Sequence, residues 1–261
     1  MLLPLLRLAA RLVLLLALGS GAAHAGDAAD LTHLLSRQVV LVGEAHGSTG
    51  SLDLTSRLVR AALRRQACVT LALEIGQGQQ AALDAAMRGE APVRDIRLYP
   101  AIGHPAYRLW LSGLSATIPS GACFQVLAAD LPARQSGNRD RSIARQIAAQ
   151  VKAGRFVVGL FGALHVSRGV WYRYSAHHAA ADYLTRQGIS AYSVLDSHAA
   201  ACSGAGLRPP GSVEAATAIS DLRQTVNGSY PKDPAAIVDA VWLGAAGGCS
   251  TSAVDASSLL N

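Results

Sequence analysis

The chain has no CxxC pair, no basic stripe, no linker or low-complexity tract and no internal repeat, and each absence removes a class of protein. Without CxxC spacing, the four cysteines Cys68, Cys123, Cys202 and Cys249 favour two disulfides over a metal site or free thiols. Lysine and arginine are scattered, with only small groups such as Arg64-Arg65 and the stretch from Arg139 to Arg145, so no nucleic-acid partner is expected. With nothing to divide the chain, residues 26–261 are expected to form a single domain, with a core over about 38–196 and a C-terminal tail.

The one long apolar stretch stands at the front. Arg7 and Arg11 precede an apolar run from Leu12 to Leu18, and Ala23-His24-Ala25 has the small-x-small pattern that signal peptidase accepts. The run is too short to span a bilayer comfortably, so residues 1–25 read as a signal peptide and the mature form is expected to carry no membrane span. No cysteine lies at the cleavage point to accept a lipid. Loss of the leader leaves 21 basic against 17 acidic side chains, a formal +4 over 236 residues. The expected location is periplasmic or secreted.

What remains alternates between two periods. Gln38–Gly43 (QVVLVG), Cys68–Ile75 (CVTLALEI), Cys123–Ala129 (CFQVLAA), Phe156–Phe161 (FVVGLF) and Ser190–Leu195 are continuous apolar runs, the mark of strands buried on both faces. Between them, Ser51–Gln66, Gln79–Arg88, Arg139–Ala153 and Ala176–Gln187 read as helices, the third capped by Asn138. Prolines break 91–121 around a short helix at Tyr107–Leu114, and Ala236–Leu243 reads as an edge strand. Strands alternating with helices predict an α/β fold, a central mostly parallel sheet covered by helices on both faces. Four cysteines allow three pairings. If the runs opened by Cys68 and Cys123 are neighbouring strands, those two meet and Cys202 is left for Cys249.

In such a sheet ligands bind beyond the carboxyl ends of the strands. Glu44 and His46 follow the first strand, Glu74 ends the second, Asp130 follows the third and His165 the fourth. Two imidazoles with two or three carboxylates suit a divalent metal (Mn, Zn, Co or Fe) held by His46, His165, Glu44 and Glu74, with a glutamate as general base. Asp130 and Arg139 are candidates for substrate contact. Gly43 to His46 and Gly162 to His165 both read Gly-x-x-His, a pattern that this composition yields about 0.8 times by chance. Their position directly after buried strands carries the weight. His104 beside Pro105 and the pair His177-His178 read as structural or solvated, and Trp171, Tyr172 and Tyr174 as surface packing.

The segments VVLVGEAHGSTGSLDLTSRLV, VTLALEIGQGQQAALDAAM, VLAADLPARQSGNRDRSIA and FVVGLFGALHV resemble the haem-binding uptake and Tiki superfamily, in particular its ChaN-like branch, with TraB-like and erythromycin-esterase-like relatives. The resemblance covers about 38–166. From the Tiki branch it implies a divalent metal on His46, His165 and one of Glu44 or Glu74, in a hydrolase of ester or amide bonds acting on a small molecule or peptide. From the esterases it implies a strand-end His and Glu in hydrolysis. From the ChaN-like branch it implies instead a non-catalytic haem-binding protein of iron uptake, with dimerisation and His or Tyr as iron ligands. The chain departs from that branch in lacking a lipoprotein cysteine, and Tyr107, Tyr172 and Tyr174 sit in no matching motif.

Overall fold

The structure is a computed structural model that describes residues 29–245 except 66, 120, 133–136, 173–177, 202–204 and 227. The expected leader, Cys202, Cys249, Tyr174 and His177 lie outside the described residues. Strands β1 (Val39–Glu44), β2 (Val69–Gly76), β3 (Phe124–Asp130), β4 (Phe156–Gly162), β6 (Ala191–Ala201), β7 (Gly206–Arg208) and β9 (Ala240–Ala245) form one sheet in the order β3-β2-β4-β1-β6-β9-β7. Every pairing is parallel except that of β7 with β9, so the fold is a mostly parallel α/β sheet. A separate two-stranded ribbon joins β5 (Trp171–Tyr172) to β8 (Gly228–Ser229).

The apolar runs are continuous because both faces of the sheet are covered. Val40 and Val42 of β1, with Leu71, Leu73 and Ile75 of β2, pack on the side of α1 (Gly50–Arg64), α2 (Gln80–Met87) and α3 (Pro105–Thr117). Val39, Leu41 and Ala72 belong to the opposite layer, with α4 (Arg139–Lys152), the short α5 (Ala163–Val166) and α6 (Ala180–Arg186). Burying each such valine or leucine stabilises the fold by roughly 1.5–3 kcal/mol. A third cluster joins α7 (Ala216–Thr225) to Leu195, Val241 and Leu243.

Helix starts follow local chemistry. Asn138 Oδ1 accepts the Arg141 N–H at 2.9 Å, the expected cap of α4. Pro105 at the first turn of α3, with His104 as its cap, starts that helix two residues before the periodicity places it. Cys68 and Cys123 form a disulfide at the starts of β2 and β3, which are neighbours, as the spacing implies. The run at 236–243 is not an edge strand. Residues Pro234–Ala236 form a 3-10 turn, the strand spans Ala240–Ala245, and β7 pairs antiparallel outside it. Its apolar residues Val241, Trp242 and Leu243 are all buried, which an interior strand requires. No helix among the described residues is long and apolar enough to cross a membrane.

Candidate active site

All the parallel strands end at one edge, and the strand order sets the line of functional groups along it: Asp130, Glu74, the turn Gly162–His165, then Glu44 with His46, then Asp196. Glu44 and Gly162 are register partners. A cavity of about 610 Å³ opens there, lined by Glu44, His46, Glu74, Arg139, Leu164, His165 and Leu195 at the sheet edge, and by Ala218 and Leu222 of α7. His46 and His165 thus share one cavity, although 119 positions separate them in the sequence.

The two glutamates leave the sheet on opposite faces. Glu44 has the parity of Val40 and Val42, which directs it toward α3, while Glu74 has the parity of Ala72, which directs it toward α4. Both are nearly closed to solvent, so each carboxylate needs donors. Glu44 Oε1 accepts from His104 Nε2 at 3.1 Å. Glu74 Oε2 accepts from the Gly162 N–H at 2.7 Å and Oε1 from Arg139 at 2.8 Å, with His165 Nε2 at 3.6 Å. Burial opposes ionisation of Glu74, yet the hydrogen bond and charge of His165, the Gly162 amide and Arg139 outweigh it and hold the carboxyl down at about 2.

On the α4 side the groups interlock. Arg139 Nε bonds both oxygens of Asp130, at 3.1 and 3.0 Å, and its terminal nitrogen bonds Asp130 and Glu74 together. Its guanidinium lies 4.9 Å above the Tyr99 ring. Asp130 is fully buried beneath this arginine and does not reach the cavity surface; what it contacts is the guanidinium. Asp140, a first-turn residue, accepts from the Ala180 N–H at 2.8 Å and from His165 Nδ1 at 2.7 Å. Burial works against the His165 imidazolium, but Asp140 and Glu74 raise it to about 10, so it is a cation at neutral pH.

His46 lies between the two halves. Its side chain is 41% exposed, with Nδ1 3.9 Å from Glu44 Oε1. On its other side the ring closes on Gly162, where a Cβ would stand 3.2 Å from Cε1 and 3.3 Å from Nε2. The Glu44 carboxylate, 3.9 Å from Nδ1, raises His46 above its ordinary 6.5, against the lowering effect of partial burial.

The donors do not fit the expected divalent cation. No three His, Cys, Asp or Glu side chains among the described residues stand in a ligating group. Glu44 and Glu74 diverge to opposite faces, Glu74 already holds a guanidinium, and His165 is a cation tied to Asp140. Haem places fewer demands, since one half-exposed imidazole such as His46 can ligate iron. Tyr107 is buried beside His104 and is not at the cavity surface.

His104 joins the site although its place beside Pro105 reads as structural, and Asp196 was missed because Ser190–Leu195 stops one residue short of it. Asp196 lies in the middle of β6, one residue beyond Leu195, the register partner of Gly43, so it stands level with Glu44 without ending its strand, and no strand-end pattern announces it. It accepts the Ser51 N–H at 3.0 Å and so anchors the start of α1 at the cavity. Helix α7, which closes the apolar wall, has no motif that would announce it.

No protein-family model matches the chain, and no curated protein matches it. Solved structures do. ChaN of Campylobacter jejuni, solved with cofacial haem, is 13% identical over 82% of this chain and 89% of that one, with a TM-score of 0.51. The type III effector HopBA1 is 10% identical over 82% and 91%, with a TM-score of 0.50. The chain has the ChaN-like fold.

Proposed function

We propose that the chain is a hydrolase of ester or amide bonds in which His46 is the general base. The observation that carries this is the imidazole itself. It is half exposed at the cavity floor, with Nδ1 toward the buried Glu44 and the opposite edge of its ring beside Gly162 and Glu74. A water attacking a carbonyl carbon in the cavity gives its proton to Nε2, and the carbonyl oxygen becomes an oxyanion. Collapse of the tetrahedral intermediate breaks the bond to the alcohol or amine, to which His46 returns the proton. Glu44 stabilises the imidazolium between the two steps. His165, cationic through neutral pH, and Arg139 supply fixed positive potential beside the reacting carbonyl. The mostly apolar opposite wall suits a substrate with an apolar acyl or alkyl group.

Hydrolysis of short-chain p-nitrophenyl esters and anilides tests the reading. Turnover should fall about 100-fold or more in His46→Ala and stay the same after chelation. Equal rates in wild type and His46→Ala overturn it.

A second reading, haem binding without catalysis, is favoured by the apolar cavity wall together with the exposed imidazole of His46. ChaN shares the fold and is a haem-binding protein. A Soret band formed on adding haem and lost in His46→Ala would support it, and the absence of any band would end it. Under either reading the chain is exported, to the periplasm or beyond. The Cys68–Cys123 disulfide supports this, since such bonds persist in oxidising compartments.

A further inference from the structure

His104 stands outside the strand-end pattern, yet it is the group that the Glu44 carboxylate meets. Its two ring nitrogens have distinct tasks. Nδ1 accepts the Tyr107 N–H at 3.2 Å as the cap of α3, so in the neutral ring the proton is on Nε2. Nε2 lies 3.1 Å from Glu44 Oε1, and a carboxylate only accepts, so the bond runs from His104 to Glu44.

The cap itself is anchored. Pro105 follows directly, the buried Tyr107 ring packs edge-on against the imidazole at 6.0 Å, and Trp110 one turn on donates to Ser56 of α1 at 2.7 Å. The parity of β1 brings Glu44 to this face. His104 is therefore held by backbone and packing before it touches Glu44, and Glu44 is in turn the group beside Nδ1 of His46.

We propose that His104 is a positioning residue: it holds Glu44 so that Glu44 keeps His46 in the Nδ1–H tautomer, with Nε2 bare toward the cavity. The inference rests on His46 as the base, and its test needs no substrate. A neutral imidazole left to itself prefers the Nε2–H tautomer, which cannot take a proton from water on the cavity side. The Glu44 carboxylate stands 3.9 Å from Nδ1, beyond direct hydrogen-bond distance, and its negative charge favours the proton on that nearer nitrogen.

The tautomers are read by nitrogen NMR on the full chain with labelled histidine, at a pH where His46 is neutral. His104→Asn separates the two tasks of the residue, because asparagine still caps a helix but is too short to reach Glu44. The variant should melt lower, since the buried Glu44 loses this donor, but below its midpoint the Nδ1–H fraction of His46 should fall about twofold or more, as in Glu44→Gln, and the double variant should fall no further than Glu44→Gln alone. His104→Gln, with an amide long enough to reach the carboxylate, should restore the fraction. A His46 tautomer unchanged in His104→Asn overturns the proposal, as does one unchanged in Glu44→Gln or a further fall in the double variant. Absence of hydrolysis would sink the functional reading and leave this result standing.

Discussion

Gly162 and Glu74 meet across neighbouring strands: the Gly162 N–H donates to Glu74 Oε2 at 2.7 Å, and a Cβ on residue 162 would lie 3.3 Å from that same oxygen. The same Cβ would lie 3.2 Å from Cε1 of His46. The backbone at 162 has φ −53° and ψ 145°, which alanine adopts freely, so Gly162→Ala strains no dihedral. Only the base and the carboxylate have to give way, by a few tenths of an ångström. The variant should melt near the wild type but hydrolyse about tenfold or more slowly, since small misplacement of a catalytic group is costly. A fully active Gly162→Ala would mean that His46 needs no fixed place.

The Glu74–His165 pair gives stability two pH limits. Glu74 is held at about 2 against an ordinary 4.5, so its contribution is complete above about 4.5 and is lost as the pH falls toward 2. His165 is raised to about 10 from 6.5, so its contribution is complete below 6.5 and is lost as the pH rises toward 10. Denaturant midpoints should therefore be highest between about pH 4.5 and 6.5 and fall on both sides. Asp140→Asn should weaken the alkaline limb, and an unchanged limb would show that Asp140 does not hold the imidazolium.

The hydrolysis rate should rise with pH, because His46 must be neutral to accept a proton, and its midpoint should lie above 6.5 because Glu44 raises the imidazole. Glu44→Gln removes that charge and should move the midpoint down while lowering the plateau. A midpoint that does not respond to Glu44→Gln would separate the two residues functionally.

Much of this site could be read from β1 and β2 because strands of a parallel sheet finish together. Glu44, His46, Glu74 and His165 each follow or end an apolar run, and the edge collects them whatever lies between. What the pattern does not contain is the face on which each side chain leaves. Glu44 and Glu74 read as two ligands of one ion, yet the alternation in VVLVGE and VTLALEIG sends them to opposite layers, toward His104 and Arg139. That parity can be counted, but which helix covers each face cannot, because it depends on crossovers such as β1–α1–β2 passing over β4. His104 was hidden for the same reason: its contact with Glu44 spans 60 positions and comes from tertiary packing of α3. The tail was the hardest part to read, since β7 covers β9 through three residues with no periodicity.

The Cys68–Cys123 bridge closes a loop of 55 residues at the end of the sheet away from the cavity. Replacing both cysteines by serine should cost about 2–4 kcal/mol, read as a lower denaturant midpoint. The tautomer of His46 should not change, since the strand ends that carry the site lie at the opposite edge. A loss of activity in the folded variant would show that the bridge governs the cavity as well as the stability.

Arg139 is the residue whose removal separates an anchor for substrate from a brace for the site. Its guanidinium is bonded to Asp130 through Nε and the terminal nitrogen, and to Glu74 as well, so both buried carboxylates depend on it. Arg139→Met leaves Asp130 without a cation and Glu74 with His165 alone, and should destabilise the fold by about 3–5 kcal/mol, far beyond what loss of an exposed contact would cost. Arg139→Lys keeps the charge but loses the planar fork, and should recover only part of the stability. Pairing Arg139→Met with Asp130→Leu removes the stranded carboxylate and should return most of the loss. If Arg139→Met instead melts like the wild type and only raises KM, the guanidinium serves the substrate rather than the carboxylates beneath it.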